Sequence, residues 1–203
     1  MFDHADNEPR KRPKPGERRL QILQAMAAML QEGQAERITT AALAARLGVS
    51  EAALYRHFAS KAQMFEGLLD FIEQTIFGLI NQIEAGAEPP STKARAIVMM
   101  LLTFAEKNPG MTRVLVGEAI TFENARLQLR VNQLVGRVEA SLRQCVKLAQ
   151  ASAPASIATD ASVLASLAMC FVQGRWLRFT KSGFQELPTQ SASLIGAQIF
   201  PPS

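Results

Sequence analysis

Apolar residues in this 203-residue chain recur at intervals of three and four almost throughout, and nowhere alternate for long with polar ones. That period belongs to helices rather than strands. Residues 16–30 carry Leu20, Leu23, Ala27 and Leu30 as one stripe, with Gly33 as the stop. Two short helical patterns follow, joined by Gly48-Val49-Ser50. Gly48 suits the left-handed conformation that ends a helix, and Ser50 suits the cap of the next. Ser60 caps a long helix in which Phe65, Leu68, Leu69, Ile72, Ile76, Leu79 and Ile83 keep step until Gly86. Residues 84–91, with Gly86, Pro89 and Pro90, are the clearest break in the pattern. An apolar helix over 92–107 carries Ile97, Val98, Leu101, Leu102 and Phe104. Asn108-Pro109-Gly110 stops it and starts a short helix over 111–116. Residues 122–150 form another long helix, with Val131, Val135, Val138, Leu142, Cys145 and Ala149 in a heptad-like seam. Beyond a small-residue linker containing Pro154, Thr159 or Asp160 caps a helix bearing Val163, Leu167, Cys170, Gly174 and Leu177. Helical content is weak from Ser182 onward. The fold class is all-α.

The pattern divides the chain into an arm over 1–15, a three-helix head over 16–60 and a helical body over 61–203. The head has a small core and needs docking to something larger. The apolar seams of the last helices exceed what one thin bundle needs. Small residues such as Ala165, Ala168 and Gly174 permit close helix approach, so the body is expected to form a homodimer.

Composition narrows the setting. The longest apolar run, 96–102, is far too short to cross a bilayer, and the first twenty residues are too polar for a signal peptide. Cys145 and Cys170 both sit inside helical patterns, so a reducing, cytoplasmic location is expected. A net charge of +4 and a pI near 9.4 permit nucleic-acid binding. Arg10, Lys11, Arg12, Lys14, Arg18 and Arg19 crowd ahead of the first helix, against Glu8 and Glu17. Pro9, Pro13 and Pro15 keep that arm extended, either as a solvated tail or lying along phosphates. Catalysis has no foothold. The histidines are His4 and His57, and the chain has no Cys-x-x-Cys, HExxH or Gly-rich phosphate loop. No enzyme activity, metal or cofactor is expected.

The run TTAALAARLGVSEAALYRHFASK over 39–61 has the helix-turn-helix form, whose second helix enters a DNA major groove. Leu43, Ala44, Gly48, Val49, Ser50, Leu54, Tyr55, His57, Phe58 and Lys61 fall where the TetR family has them, and residues 17–61 resemble the head of those regulators. A narrower resemblance, to the nucleoid occlusion factors of that family, extends through FAEKNPGMTRVLVGEA and ARLQLRVNQLVGRVEASLRQ. It implies a TetR-like helix-turn-helix head on a dimerisation body that binds palindromic double-stranded DNA, as single dimers or as pairs of them. It further implies a nucleoid-associated protein that, on DNA, stops division-ring assembly by binding the tubulin-like FtsZ. The chain departs from the pattern in its longer basic arm, at Leu79 and in the Ala/Ser-rich stretch near Ala151.

Candidate residues follow from both readings. Tyr55 and His57 offer hydroxyl and imidazole donors to phosphate, as the resemblance implies; an exposed, idle histidine is the alternative. Lys61 opens a helix, where a positive charge and the helix start both favour an anion; a plain surface lysine is its alternative. Thr39 and Thr40 suit helix capping, phosphate contact, or both. Base reading falls to Ser50, Glu51, Ala52, Ala53 and Arg56, a sparse surface on which DNA shape must share the specificity. Phe71 lies roughly 120° from the apolar stripe of its helix, given 3.6 residues per turn. It suits either a wider core or a partner site. With Lys107 and Asn108 it is carried over from the resemblance as a candidate FtsZ contact, flanked by Met64 and Met100 unless these belong to the core. The rival function is a ligand-responsive repressor of the same family, with Met99, Met100, Phe104, Phe122 and Trp176 lining a pocket in the body.

Overall fold

The computed structural model describes residues 16–32, 38–121, 123–151 and 159–200, and every regular element within them is a helix. The basic arm, Gly33, Phe122 and Pro154 lie outside the described residues. The head comprises α1 (Glu17–Glu32), α2 (Thr40–Leu47) and α3 (Glu51–Tyr55); α4 (Lys61–Ala85) runs from it into the body. The body adds α5 (Pro90–Lys107), α6 (Pro109–Leu115), a 3-10 turn (Glu118–Ile120), α7 (Ala125–Ala151), α8 (Ala161–Lys181) and α9 (Ala192–Ile199).

Local chemistry sets most boundaries. Thr39, Ser50 and Ser60 accept from the amides of Ala42, Ala53 and Gln63, capping α2, α3 and α4. Gly48 ends α2 at φ 64°, where a side chain would strain the backbone. Asp160, rather than Thr159, caps α8 through the Ser162 amide. Pro90 and Pro109 occupy helix starts, where a missing N–H costs nothing. Asn108 closes α5 by donating from Nδ2 to the Phe104 carbonyl at 2.8 Å.

Packing shifts several expected faces. In α1 the buried stripe is Ile22, Met26 and Leu30, with Leu20 exposed and Leu23 and Ala27 at the margin. Two residues apart on a helix means about 200°, so Leu20 and Ile22 cannot share a face. In α4, Met64 and Ile80 join the core at no more than 1% exposure, while Leu79 and Ile83 are half-buried. Met64 is thus core, and Met100 is half-buried against the same core. Helix α7 starts at Ala125 because Asn124 accepts there from the Arg126 amide at 2.9 Å. Its seam is buried at Val131, Leu134, Val138, Leu142 and Cys145, with Val135 and Ala149 only half-buried.

The largest departure is on α8. Its buried face is Ala161, Ala165, Ala168, Met169, Val172, Trp176 and Phe179, and α8 packs along α7. The stripe expected from sequence faces outward instead: Val163 is 56%, Leu167 51% and Leu177 46% exposed, with Cys170 and Gly174 beside them. The segment beyond Ser182 also holds more helix than its pattern suggested. Ala192, Gly196 and Ile199 form the buried face of α9, which packs on α5. Arg95 donates to the Phe200 carbonyl at 2.6 Å beside it.

The head is docked through α1 on α6. At Gly110 a Cβ would lie 2.0 Å from the Ala27 carbonyl oxygen, so the two backbones meet without a side chain between them. Three residues on, buried Arg113 donates from Nη1 to the Leu30 carbonyl at 2.9 Å.

Candidate nucleic-acid interface

The surface of interest is built on a short helix held from both ends. Ser50, in extended conformation, turns the chain into α3, and Leu54 and Phe58 anchor it, each 1% exposed. Five helical residues are few for stability alone. Arg19 of α1 completes the support. Its Nη1 donates to the His57 carbonyl just past α3, and its guanidinium lies 4.1 Å from the centre of the Phe58 ring. Nothing near Arg19 in sequence signals this, because its partner lies 38 residues away.

On the outer side, Ser50, Glu51, Ala52, Tyr55 and Arg56 are exposed, and Ala53 and His57 are half-buried. His57 stands in the turn after α3, not on the helix itself. The Thr40 hydroxyl donates to Glu51 Oε2 at 2.6 Å, and the Tyr55 hydroxyl reaches Thr40 Oγ1 at 3.4 Å. Thr40, Glu51 and Tyr55 therefore form one connected polar patch spanning α2 and α3. Thr39 is exposed beside it, its hydroxyl oxygen accepting from the Ala42 amide in the cap of α2. A cavity of 380 Å³ opens between α1 and α3, lined by the polar side chains of Arg18, Arg56 and His57 and by apolar Ile22, Val49 and Leu54.

Lys61 is placed differently. It begins α4, half-buried, and donates to Glu123 Oε1 at 2.6 Å, a carboxylate contributed by the body. The sequence offered no hint of this partner.

The remaining candidates lie away from the head's outer face. Phe71 is exposed on α4 at 37%, consistent with its angular offset from the buried stripe. Lys107 is exposed at the end of α5, whereas Asn108 is half-buried with its amide nitrogen committed to the Phe104 carbonyl. Of the side chains expected to line a ligand pocket, Trp176 is buried with its indole donating to the Leu101 carbonyl, and Phe104 lies in the same core. No helix among the described residues is long and apolar enough to cross a membrane.

Residues 22–68 match the family of bacterial regulatory proteins, tetR family, and residues 91–197 match the tetracyclin repressor-like C-terminal domain. The nucleoid occlusion factor SlmA of Idiomarina loihiensis is 47% identical over 87% of this chain and 90% of its own length. That of Vibrio cholerae is 47% identical over 90% of this chain and 95% of its own. Among solved structures, the transcriptional regulator FadR of Bacillus subtilis, in complex with stearoyl-CoA, aligns with a TM-score of 0.74 at 13% identity, covering 90% of this chain and 97% of its own. PfmR of Thermus thermophilus, a TetR family transcriptional regulator, aligns at a TM-score of 0.72 with 20% identity, covering 88% of this chain and 96% of its own. At such identities the structures speak for the fold alone, and that fold is all-helical and TetR-like.

Proposed function

The chain belongs to the TetR family of bacterial regulatory proteins, in the branch of the SlmA nucleoid occlusion factors, and on that premise we propose that it grips palindromic double-stranded DNA as a homodimer. Its function is nucleoid occlusion: on DNA, it inhibits FtsZ ring assembly over the chromosome.

The observation that carries the DNA reading is the anchored presentation of α3. A helix of five residues, capped by Ser50 and held by Arg19, exposes a linked Thr40–Glu51–Tyr55 patch with Arg56 and His57 at its end. In this reading Thr39, Thr40, Tyr55, His57 and Lys61 contact phosphates and fix the register. Ser50, Glu51, Ala52, Ala53 and Arg56 face base edges. The exposed apolar stripe of α8, with Leu194 of α9 exposed at 71%, supports pairing of two copies. Two-fold symmetry then matches a palindromic target.

Phe71, Lys107 and Asn108 remain the candidate FtsZ contacts. The exposed aromatic ring of Phe71 is the feature that best suits a partner site. A physical route from DNA to division is avidity: dimers gathered on neighbouring sites present several weak sites to one polymer. Sedimentation of FtsZ polymers with the protein tests this. The expected result is loss of polymer only when a selected palindromic duplex is present. Equal loss with and without duplex would reject the DNA dependence, and no loss under either condition would reject FtsZ as the partner.

A further inference from the structure

We propose that Glu123 is an intramolecular stand-in for a DNA phosphate, occupying Lys61 until the duplex displaces it. The inference rests on the DNA-binding reading of the head. Lys61 is the first residue of α4, directly after its Ser60 cap. A helix start gathers unpaired, partly positive N–H groups, and an ammonium added there makes a strong anion site. The anion present is Glu123 Oε1, 2.6 Å from Nζ. It comes from 62 residues away, in the short connection between the 3-10 turn and α7.

Three features mark this as more than a surface ion pair. Both side chains are largely withdrawn from water, at 24% and 17% exposure. The pair joins the helix that leaves the head to a segment of the body. The neighbouring residue, Asn124, caps α7, so displacing Glu123 perturbs the start of that helix. A phosphodiester approaching Lys61 meets a carboxylate already on the same ammonium, and the two anions repel each other. Binding through Lys61 therefore exchanges one anion for another. Lys61 contributes little net counterion release while Glu123 is in place.

The exchange makes duplex affinity sensitive to a residue that touches no DNA. Glu123→Gln keeps the shape and removes the competing charge. Its expected effect is at least about fivefold tighter binding, on cognate and unrelated duplex alike, the upper end for exposed pairs serving as a lower bound for this half-buried one. The slope of log K against log salt should steepen by up to about one. Glu123→Ala, which also removes the charge, must move affinity in the same direction, and thermal melting of each variant confirms folding. In a Lys61→Ala background the gain should vanish.

Weaker binding by both Glu123 variants would make the carboxylate a support for Lys61 and overturn the proposal. So would unchanged affinity, or a gain that persists undiminished without Lys61 and so reflects net charge alone. In each of those cases the wild-type protein still binds duplex, and the DNA reading survives. Failure of the wild-type protein to bind palindromic duplex at low salt would overturn both.

Discussion

Arg113 shows how much a single side chain holds together at the junction of head and body. Its guanidinium is buried, donates to the Leu30 carbonyl in the last turns of α1, and lies 4.9 Å from the centre of the Phe184 ring. Terminal helix carbonyls lack intrahelical partners, so this bond satisfies a group that would otherwise be stranded. Glu118 sits 4.0 Å from Arg113 Nε and tempers the buried charge. Arg113→Met is expected to lower unfolding stability by about 1.5–3 kcal/mol, the range for hydrogen bonds to charged groups, as measured by urea denaturation. An unchanged midpoint would mean the bond carries no net stability. Residues of this kind leave no trace in sequence, since Arg113 and Leu30 are 83 positions apart. The caps at Thr39, Ser50 and Ser60 were legible for the opposite reason: donor and acceptor lie within three residues.

Between elements, Gly110 governs the fit of α6 against α1. In sequence it reads as part of a helix stop, because Asn-Pro-Gly is turn chemistry. In the structure it lies inside α6, and its role is close approach: the Ala27 carbonyl leaves no room for a Cβ. Backbone cannot swing aside as a side chain does, so Gly110→Ala should cost at least about 1–3 kcal/mol, read from the same urea curves. It should also loosen the head, seen as faster amide exchange in α1. A second tie joins α1 to α2, where Arg46 donates from both terminal nitrogens to the Glu32 carboxylate. Those hydrogen bonds hold Glu32 below its ordinary value of 4.5. A depressed folded value means the contribution is whole above pH 4.5 and is lost as pH falls through the lower, folded value. The stability gap between wild type and Glu32→Gln should therefore be flat near neutrality and shrink on acidification. Both groups are exposed, so the gap is small. Helical periodicity reveals that such elements exist, but not which flank of a broad apolar face turns inward. That is why Ile22 and Met26, rather than Leu20, meet the core.

At the scale of the whole molecule, the sequence showed more apolar seam than one bundle could use, and the outward stripe of α8 is where the surplus lies. Packing decides between two apolar faces of one helix, and on α8 the small and aromatic residues took the core. Val163, Leu167, Cys170, Gly174 and Leu177 are spaced by four and three along the outer face, with Cys170 at the centre. In an isologous pair, residue i meets residue j of the partner and j meets i, so only a residue on the two-fold axis meets its own copy. With the proposed two-fold axis placed through the middle of the stripe, Cys170 meets its own copy. Mild oxidation should then link the wild-type protein into a covalent dimer, and Cys170→Ser should abolish the link. Cys145 cannot substitute, because it is buried and burial, seconded by Glu84, pushes its thiol up from the ordinary value. In the proposed pairing, Leu167→Glu places two carboxylates in one seam. It should weaken dimerisation by about 3 kcal/mol or more, roughly a hundredfold in dissociation constant. Because Leu167 is half exposed in the single chain, the variant should still melt as a folded protein. Its grip on a full palindrome should fall toward that for a half-site, since the second head is no longer tethered. Equilibrium sedimentation of wild type and variant, read beside duplex titrations, decides the matter. A wild-type chain that sediments as a monomer at every concentration would leave the α8 stripe unexplained and remove the basis for palindromic reading.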